Sequence, residues 1–254
     1  MKINFSAITD IGAVRTNNED NFLVLGDVYR EDTEDKHFSD TSHSDEDNQI
    51  YAVCDGMGGL SKGEMASFIT VSELAKYYPF EKFDSEFSSI VSDLNKKVFD
   101  YTVANELDEC GTTLVLLHIN EGKGKVYNVG DSEGFLFRNG KLKKLSRDDT
   151  VYQQYLDLGV EISFGKNALT QYIGVNPDEI FLSPHISDEV ELSKGDIFLL
   201  NSDGVTNSLE IKEIEKILSS RRKVNTKAKK IIELCNKHKC HDNVTVVLVE
   251  VDDL

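Results

Sequence analysis

Four aspartates each stand where an apolar strand meets a turn. They are Asp55 in Tyr51-Ala-Val-Cys-Asp-Gly, Asp131 in Val129-Gly-Asp-Ser, Asp203 in Leu199-Leu-Asn-Ser-Asp-Gly and Asp242 in His241-Asp-Asn-Val-Thr. A strand holds such a carboxylate rigidly at the rim of a sheet, and glycine lets backbone approach a ligand closely. Carboxylates brought together without cations would repel one another and take up protons. Either these acids lie far apart in the fold, or they hold metal.

Asp-Gly and Gly-Asp are also ordinary turn dipeptides, so the argument rests on the whole set and its order. The motifs, in order, are Asp10-Ile-Gly-Ala-Val-Arg-Thr-Asn-Asn-Glu-Asp20, Asp55-Gly-Met-Gly-Gly with Gly63-Glu-Met-Ala-Ser, Gly111-Thr-Thr, Val129-Gly-Asp-Ser, Ser202-Asp-Gly and Asp242-Asn-Val-Thr. Their order and approximate spacing resemble those of the metal-dependent protein phosphatases of type 2C, bacterial members included. The resemblance runs nearly end to end.

The resemblance implies a four-layer α-β-β-α sandwich, in which two antiparallel sheets lie face to face between helix pairs. The pattern of hairpins separated by helix pairs independently favours an α+β fold over alternating βαβ units. Strands are predicted over 3–9, 21–28, 50–54, 113–119, 125–129, 134–138, 141–145, 196–201 and 243–251. Helices are predicted over 62–78, from a cap at Asp84 to about 105, and over 149–159, 208–219 and 225–238.

Residues 1–254 are expected to form one catalytic domain, since no repeat or Pro-rich linker divides them. Residues 29–49 are acidic and rich in Ser and Asp, which predicts a mobile, solvated loop. A calcium site there stays an alternative, although the segment lacks the Asp-x-Asp-x-Asp-Gly pattern with a terminal Glu. Residues 146–185 are expected to form a flap beside the site, in a segment that varies within the resembling family and biases substrate choice.

In the resembling family, two divalent ions share a bridging aspartate and a water. Asp55 matches the bridging residue, and the backbone carbonyl of Gly56 matches a ligand of the second ion. Asp203 and Asp242 match the remaining carboxylates on the first ion, and Asp131 matches a ligand of a third, weaker ion.

Three further residues match roles around these ions. Glu19 and Asp20 match acids that act near the ions, partly through bound water. Arg15 matches the guanidinium that binds the substrate phosphate, a group suited to two parallel hydrogen bonds. A structural ion pair of Arg15 with Glu19 or Asp20 is the alternative.

The expected chemistry is hydrolysis of phosphoserine and phosphothreonine by a metal-activated water. Two metals lower the pKa of a shared water, so hydroxide exists at neutral pH and attacks phosphorus in line. Mn²⁺ or Mg²⁺ is expected because the proposed ligands are all oxygen. A zinc site is an alternative reading of Cys235, His238, Cys240 and His241, but their spacing fits no common finger pattern.

Three residues depart from the family pattern. Leu60 stands where many members carry a histidine, Glu133 follows Val129-Gly-Asp-Ser in place of arginine, and Asp149 stands in place of histidine. General acid catalysis is typically worth ~10²–10⁴-fold. These changes therefore leave open a weakly active or inactive metal-binding module, and a hydrolase of a small phosphate ester is a further alternative.

Charge and cysteine content limit the partners. The net charge of −17 argues against nucleic acid and anionic membranes, which both favour basic surfaces. No run of ~18 apolar residues occurs, and the N-terminus lacks a signal-peptide core. Four cysteines do not suggest a disulfide framework. A cytoplasmic monomer acting on phosphoproteins made by a serine/threonine kinase is expected.

Overall fold

The structure of the chain is a computed structural model that describes residues 1–28, 37–57, 62–78 and 83–253. Within these residues the strands form two antiparallel sheets. Sheet one contains, in spatial order, β10 (Lys141–Lys144), β9 (Glu133–Arg138), β13 (Ile197–Asn201), β14 (Val244–Asp253), β1 (Lys2–Asp10) and β4 (His37–Ser44).

Sheet two faces sheet one. It contains, in spatial order, β11 (His185–Ile186), β8 (Lys123–Val129), β7 (Leu114–Asn120), β5 (Asn48–Met57), β2 (Asp20–Val24) and β3 (Asp27–Val28). The short strands β12 (Val190–Glu191) and β6 (Gly111–Thr112) pair with β8 and β5. The helices are α1 (Gly63–Ala75), α2 (Phe83–Ala104), α3 (Val151–Asp157), α4 (Asp203–Thr206), α5 (Ile211–Leu218) and α6 (Val224–Lys237).

Strand β14 shows how one sequence serves two cores. Its side chains alternate between faces, as in any strand. Val247 and Val249 pack into the core between the sheets, whereas Val246 and Leu248 pack against α5 and α6. A third core lies between sheet two and helices α1 and α2. The predicted α+β sandwich of four layers is therefore confirmed.

The predicted mobile loop over 29–49 is wrong for its second part. His37–Ser44 form β4, which pairs with β1 along eight residues, and β5 already begins at Asn48. The backbone of this polar tract satisfies its hydrogen bonds by pairing with β1 at the edge of sheet one. Residues 29–36 of that prediction lie outside the described residues.

Other differences are local. The single strand predicted over 21–28 is a hairpin of β2 and β3, because Leu25 (φ 50°) and Gly26 (φ 85°) form a two-residue turn. Helix α2 begins at Phe83, so Asp84 lies inside the helix instead of capping it. No helix within the described residues combines the length and apolar character that a membrane crossing needs.

Candidate metal centre and active site

One cavity of about 480 Å³ gathers seven of the eight predicted site residues. The seven are Arg15, Glu19, Asp55, Gly56, Asp131, Asp203 and Asp242. The eighth, Asp20, is buried rather than cavity-lining. Acids that are distant in the sequence therefore meet at one end of the sandwich.

Asp55 and Asp20 lie directly opposite each other on neighbouring strands. Asp20 opens β2, and the register of β2 with β5 pairs it with Asp55. Directly opposed residues point to the same face of a sheet, where two like charges destabilise the pair. Thr113 holds the Asp55 backbone from the other side, because its Oγ1 accepts a hydrogen bond from the Asp55 N–H at 3.0 Å and its N–H donates to the Asp55 carbonyl at 2.9 Å.

Asp20 joins the two sheets behind the cavity. Its Oδ2 accepts hydrogen bonds from Ser202 Oγ at 2.7 Å and Thr245 Oγ1 at 2.6 Å. Its Oδ1 is buried and has no partner within the described protein. Burial raises the pKa of Asp20 to about 7 despite the two hydroxyl donors, and repulsion from Asp242 and Asp203 adds to the rise.

The carboxylates around the cavity raise one another's proton affinity. Loss of solvation raises the pKa of Asp55 well above its usual range, and Asp20, Asp203 and Asp131 reinforce the rise. The same loss of solvation raises the pKa of Asp131 to about 7 and that of Asp203 to about 6, with Asp203 and Asp242 as the respective leading charges. Without cations, these acids therefore oppose full ionisation at neutral pH.

Arg15 pairs with Asp242, and not with Glu19 or Asp20 as the alternative reading held. The Arg15 guanidinium donates to Asp242 Oδ2 at 2.8 Å, and nearly half of its side chain stays exposed. Burial raises the pKa of Glu19, with Glu64 as the leading neighbouring charge. Arg15 therefore lines the cavity, and those of its N–H groups that do not bind Asp242 can donate to a ligand.

Asn243 ties the loop of Asp242 to the loop of Arg15. Its Nδ2 donates to the carbonyls of Ile11 at 3.0 Å and Asn17 at 2.9 Å. Its Oδ1 accepts from the Glu19 N–H at 2.8 Å. Sequence reasoning quoted this asparagine in a motif and assigned it no role, although a buried amide with three polar partners is the natural joint between two loops.

Two glycines allow the acid-bearing segments to approach each other. A Cβ on Gly56 would lie 2.2 Å from the Gly63 carbonyl oxygen and 2.5 Å from that of Glu19. A Cβ on Gly204 would lie 2.0 Å from the carbonyl oxygen of Asn243. Asn207 then orients the neighbouring Asp203, because its Nδ2 donates to Asp203 Oδ2 at 2.9 Å.

These residues fit a hard divalent cation. In the described part of the chain, no three His, Cys, Asp or Glu side chains already close around one point, since the acids line an open cavity and Arg15 holds Asp242. Asp20 nevertheless has an unpartnered buried oxygen, and the acids raise one another's pKa values. A divalent cation would offset the negative charge of these acids. The donors are all oxygen, which suits Mn²⁺ or Mg²⁺.

The zinc alternative has no geometric support. Cys235 and Cys240 are buried free thiols, and Cys240 Sγ donates to the Gly204 carbonyl at 3.3 Å. His238 Nδ1 lies 3.0 Å from the Ser208 carbonyl oxygen. Cys240 and His238 thus already have other partners, and the described residues contain no three-member His, Cys, Asp or Glu cluster there.

Two of the three residues that depart from the family pattern have polar partners in the structure. Glu133 accepts from Lys144 Nζ at 2.7 Å and from Asn201 Nδ2 at 3.3 Å, so its charge is offset by a lysine. Asp149 is buried, accepts from the Gly130 N–H at 3.0 Å, and has its pKa raised by burial. Leu60 lies outside the described residues.

Six cavity residues were not among the predicted site residues, although Met57 and Thr113 stand in the quoted motifs and three others in the expected flap. The six are Met57, Glu109, Thr113, Asn167, Leu169 and Tyr172. Three of them come from the irregular segment after α3, and Tyr172 donates its hydroxyl to Glu109 Oε1 at 2.6 Å. The sequence did not predict that Asn167, Leu169 and Tyr172 point into the cavity. An irregular segment has no hydrophobic period from which the direction of a side chain follows.

Known proteins share both the sequence and the fold. The family model of protein phosphatase 2C matches residues 20–155. The serine/threonine phosphatase stp of Listeria monocytogenes is 32% identical over 260 residues, which cover 96% of this chain and 94% of stp. The solved serine/threonine phosphatase of S. agalactiae has a TM-score of 0.83 at 25% identity, covering 98% of this chain and all of that one.

A second solved structure is similar across its whole length. The catalytic domain of the serine/threonine protein phosphatase PstP, in complex with two manganese ions, has a TM-score of 0.78 at 26% identity, and the match covers 100% of both chains. The family model includes Asp20, Asp55 and Asp131, and the full-length relatives extend the match over Asp203 and Asp242. The chain therefore belongs to the protein phosphatase 2C family and is a metal-dependent serine/threonine protein phosphatase of the bacterial type.

Proposed function

We propose that the chain hydrolyses phosphoserine and phosphothreonine in proteins at a centre of two divalent ions, Mn²⁺ or Mg²⁺. Asp55 would bridge the ions, Asp203 and Asp242 would complete the first, and the Gly56 carbonyl would bind the second. The observation that carries this proposal is the convergence of acids from separate segments, whose pKa values rise together around one cavity. The two manganese ions named for the PstP domain agree with the count.

The remaining acids have supporting roles in this proposal. Asp131 would bind a third, weaker ion, and its carboxylate lines the same cavity. Glu19 and Asp20 would hold water or orient the ligands, and Ser202 and Thr245 keep Asp20 fixed for that task. The ions, when bound, would lower the pKa of a water and offset charge on the phosphoryl oxygens.

Arg15 would bind the phosphate of the substrate. Its guanidinium lies at the cavity, and Asp242 occupies one of its donors. A planar guanidinium with further free donors can form two parallel hydrogen bonds to phosphate oxygens. The pairing with Asp242 also couples substrate binding to the metal-ligand loop, because one side chain contacts both.

The test is a Mn²⁺ titration of phosphopeptide hydrolysis, reversed by EDTA. Asp55→Asn and Asp203→Asn are expected to lower kcat by at least about 10²-fold, since each removes a ligand charge. Asp188→Asn, an exposed acid outside both the cavity and residues 146–185, is the matched control and should match the parent. Parental activity in both Asn variants would contradict the two-metal proposal.

We also propose that residues 146–185 act as the flap that contacts the peptide around the phosphoresidue. Asn167, Leu169 and Tyr172 of this segment line the cavity. Asn167→Ala should raise the KM for a phosphopeptide by about threefold, the worth of one modest hydrogen bond. The KM for a small aryl phosphate, which reaches only the centre, should not change; equal effects on both substrates would argue against a flap.

A cytoplasmic location and substrates made by a serine/threonine kinase complete the proposal. All four cysteines are free and buried, which agrees with a reducing compartment. Fractionation of cells of the source organism would test the location. Gel filtration with light scattering would test the expected monomer.

A further inference from the structure

A second cavity, of about 410 Å³, lies at the other end of sheet one from the metal centre. Its charged lining residues are Lys194, Arg221, Arg222, Lys223, Lys227, Glu250 and Asp252. Strand β14 runs from Val244, two residues after Asp242, to Asp253. A strand rises ~3.3 Å per residue, so these ten residues separate the two cavities by about 30 Å.

The lining of this basic cavity is opposite in sign to the chain. The chain carries 28 Lys and Arg against 45 Asp and Glu, whereas five basic and two acidic side chains line the cavity. Arg221-Arg222-Lys223 is the sole run of three consecutive Lys or Arg residues in the sequence. Surface potentials act over about a Debye length, ~8 Å in physiological salt, so this cavity attracts anions locally although the molecule repels them at long range.

The two acids of the basic cavity already have basic partners. Glu250 accepts from Lys227 Nζ at 2.8 Å, and the Lys227 side chain is only 5% exposed. Asp252 pairs with Lys2 at 3.0 Å. The exposed side chains of Arg221 and Arg222 have no hydrogen bond or ion pair with any of the described residues. Two adjacent guanidiniums therefore stand at a concave surface with their donors free.

We propose that the basic cavity binds a phosphorylated segment of a polypeptide. It would dock a multiply phosphorylated protein by one phosphoresidue while another reaches the catalytic cavity. Two guanidiniums can donate several charge-assisted hydrogen bonds to one phosphate. A single carboxylate would accept fewer of these hydrogen bonds and would bind the pair less well. A concave site in an acidic molecule suits a peptide better than a flat anionic membrane, which the net charge of −17 would repel.

Docking would raise the local concentration of the second phosphoresidue at the centre, and so lower KM without changing kcat. The proposal goes beyond dephosphorylation itself, and it does not depend on how many ions the centre holds. Its failure is separable from a failure of the two-metal proposal, because docking is measurable as binding when EDTA has removed the ions and no hydrolysis occurs.

The experiment uses peptides with phosphoserine at one end and, at the other, serine, glutamate or a non-hydrolysable phosphonate analogue of phosphoserine. A Gly/Ser linker of about 25 residues has an end-to-end distance of ~28 Å, which matches the span. The phosphonate peptide should have a KM about fivefold below that of the serine peptide. Arg221→Gln with Arg222→Gln should abolish that difference and leave kcat, and aryl phosphate hydrolysis, unchanged.

The control pair is Lys97→Gln with Lys143→Gln, two exposed lysines outside the cavity that give the same change in charge. It should keep the parental KM difference. In EDTA, fluorescence anisotropy of a peptide that carries only the phosphonate should show weaker binding to the arginine pair variant than to the control. Equal KM values for the three peptides, or an equal effect of glutamate and phosphonate, would overturn the proposal. So would Arg221- and Arg222-dependent binding to phosphatidylcholine–phosphatidylglycerol vesicles without peptide binding.

Discussion

At the residue scale, the raised pKa values of the acids around the cavity make the stability of the protein depend on pH. Asp131 has its pKa raised from 3.8 to about 7, first by lost solvation and then by Asp203. Between these two values the folded protein keeps a proton that the unfolded chain has released. The folded state therefore binds more protons, and its free energy of unfolding falls as pH rises through this window.

We therefore predict that the metal-free protein loses stability as the pH rises from about 4 to about 7. Urea unfolding in EDTA at several pH values measures the slope, and Asp131→Asn should make it shallower because the titrating group is gone. Asp188→Asn should leave the slope unchanged. Added Mn²⁺ should flatten the slope of the parent, since a cation favours the ionised acids. A slope that Asp131→Asn does not change would contradict the assignment.

Gly56 is a second residue whose role can be tested directly. A Cβ at this position would lie 2.2 Å from the Gly63 carbonyl oxygen, so β5 and the start of α1 would have to separate. We predict that Gly56→Ala lowers the free energy of unfolding by about 3 kcal/mol and weakens Mn²⁺-induced thermal stabilisation. The comparison is Gly122→Ala, which meets no neighbour within 4 Å and should cost about 1 kcal/mol for its positive φ.

The acids of the site could be predicted because a polar residue at the end of an apolar strand is visible in one sequence. Asp55 and Asp203 are of this kind, and the structure brings both to the cavity. The burial of Asp20 and the three partners of Asn243 could not be predicted, because they depend on contacts between segments more than 180 residues apart. Local patterns carry no information about such distant partners.

At the element scale, long strands and helices were predictable and short ones were not. Strands β7, β8 and β14 have at least seven residues, and β7 and β14 consist largely of apolar residues. Strands β6, β11 and β12 have two residues each, which is too few to show a period. Strand β4 was missed for another reason. It is polar, and its place in sheet one comes from pairing with β1 and not from its own hydrophobicity.

An ion pair between a partly exposed arginine and a buried aspartate links elements at the end of sheet one opposite the metal centre. Arg138 on β9 donates from Nε and Nη2 to the two oxygens of Asp196 at 2.7 and 2.6 Å, and Nη2 also donates to the Glu191 carbonyl at 2.8 Å. Asp196 is almost fully buried and accepts in addition from the Ser193 N–H at 2.7 Å. The pair therefore fixes β9, β12 and the start of β13 relative to one another.

We predict that Arg138→Lys lowers the free energy of unfolding by about 2 kcal/mol, because an ammonium cannot reproduce the two parallel hydrogen bonds to a buried carboxylate. The control is Lys96→Gln, which removes an exposed helical pair with Asp100 and should cost at most about 0.5 kcal/mol. Urea denaturation of both variants measures the difference. Equal losses would mean that burial of Asp196 does not strengthen its pair.

At the scale of the whole molecule, two cavities of opposite sign share one acidic body. The candidate catalytic cavity holds five carboxylates besides Glu109, and bound cations would offset several of them. The basic cavity is the exception at the far end of sheet one. At long range, a phosphoprotein in solution is exposed to the electrostatic field of the whole chain, whose net charge is −17. The local charges of either cavity act on it only at short range.

We predict that this field selects among peptides that carry one phosphoserine. At low ionic strength, kcat/KM should be about tenfold higher for a peptide with lysines flanking the phosphoserine than for one with glutamates, because the acidic body attracts the first and repels the second. The ratio should fall towards unity in about 0.5 M salt, since screening shortens the range of the field to a few ångströms. A ratio that salt leaves unchanged would assign the preference to direct contacts in the catalytic cavity, with Glu109 at its rim as the first residue to substitute.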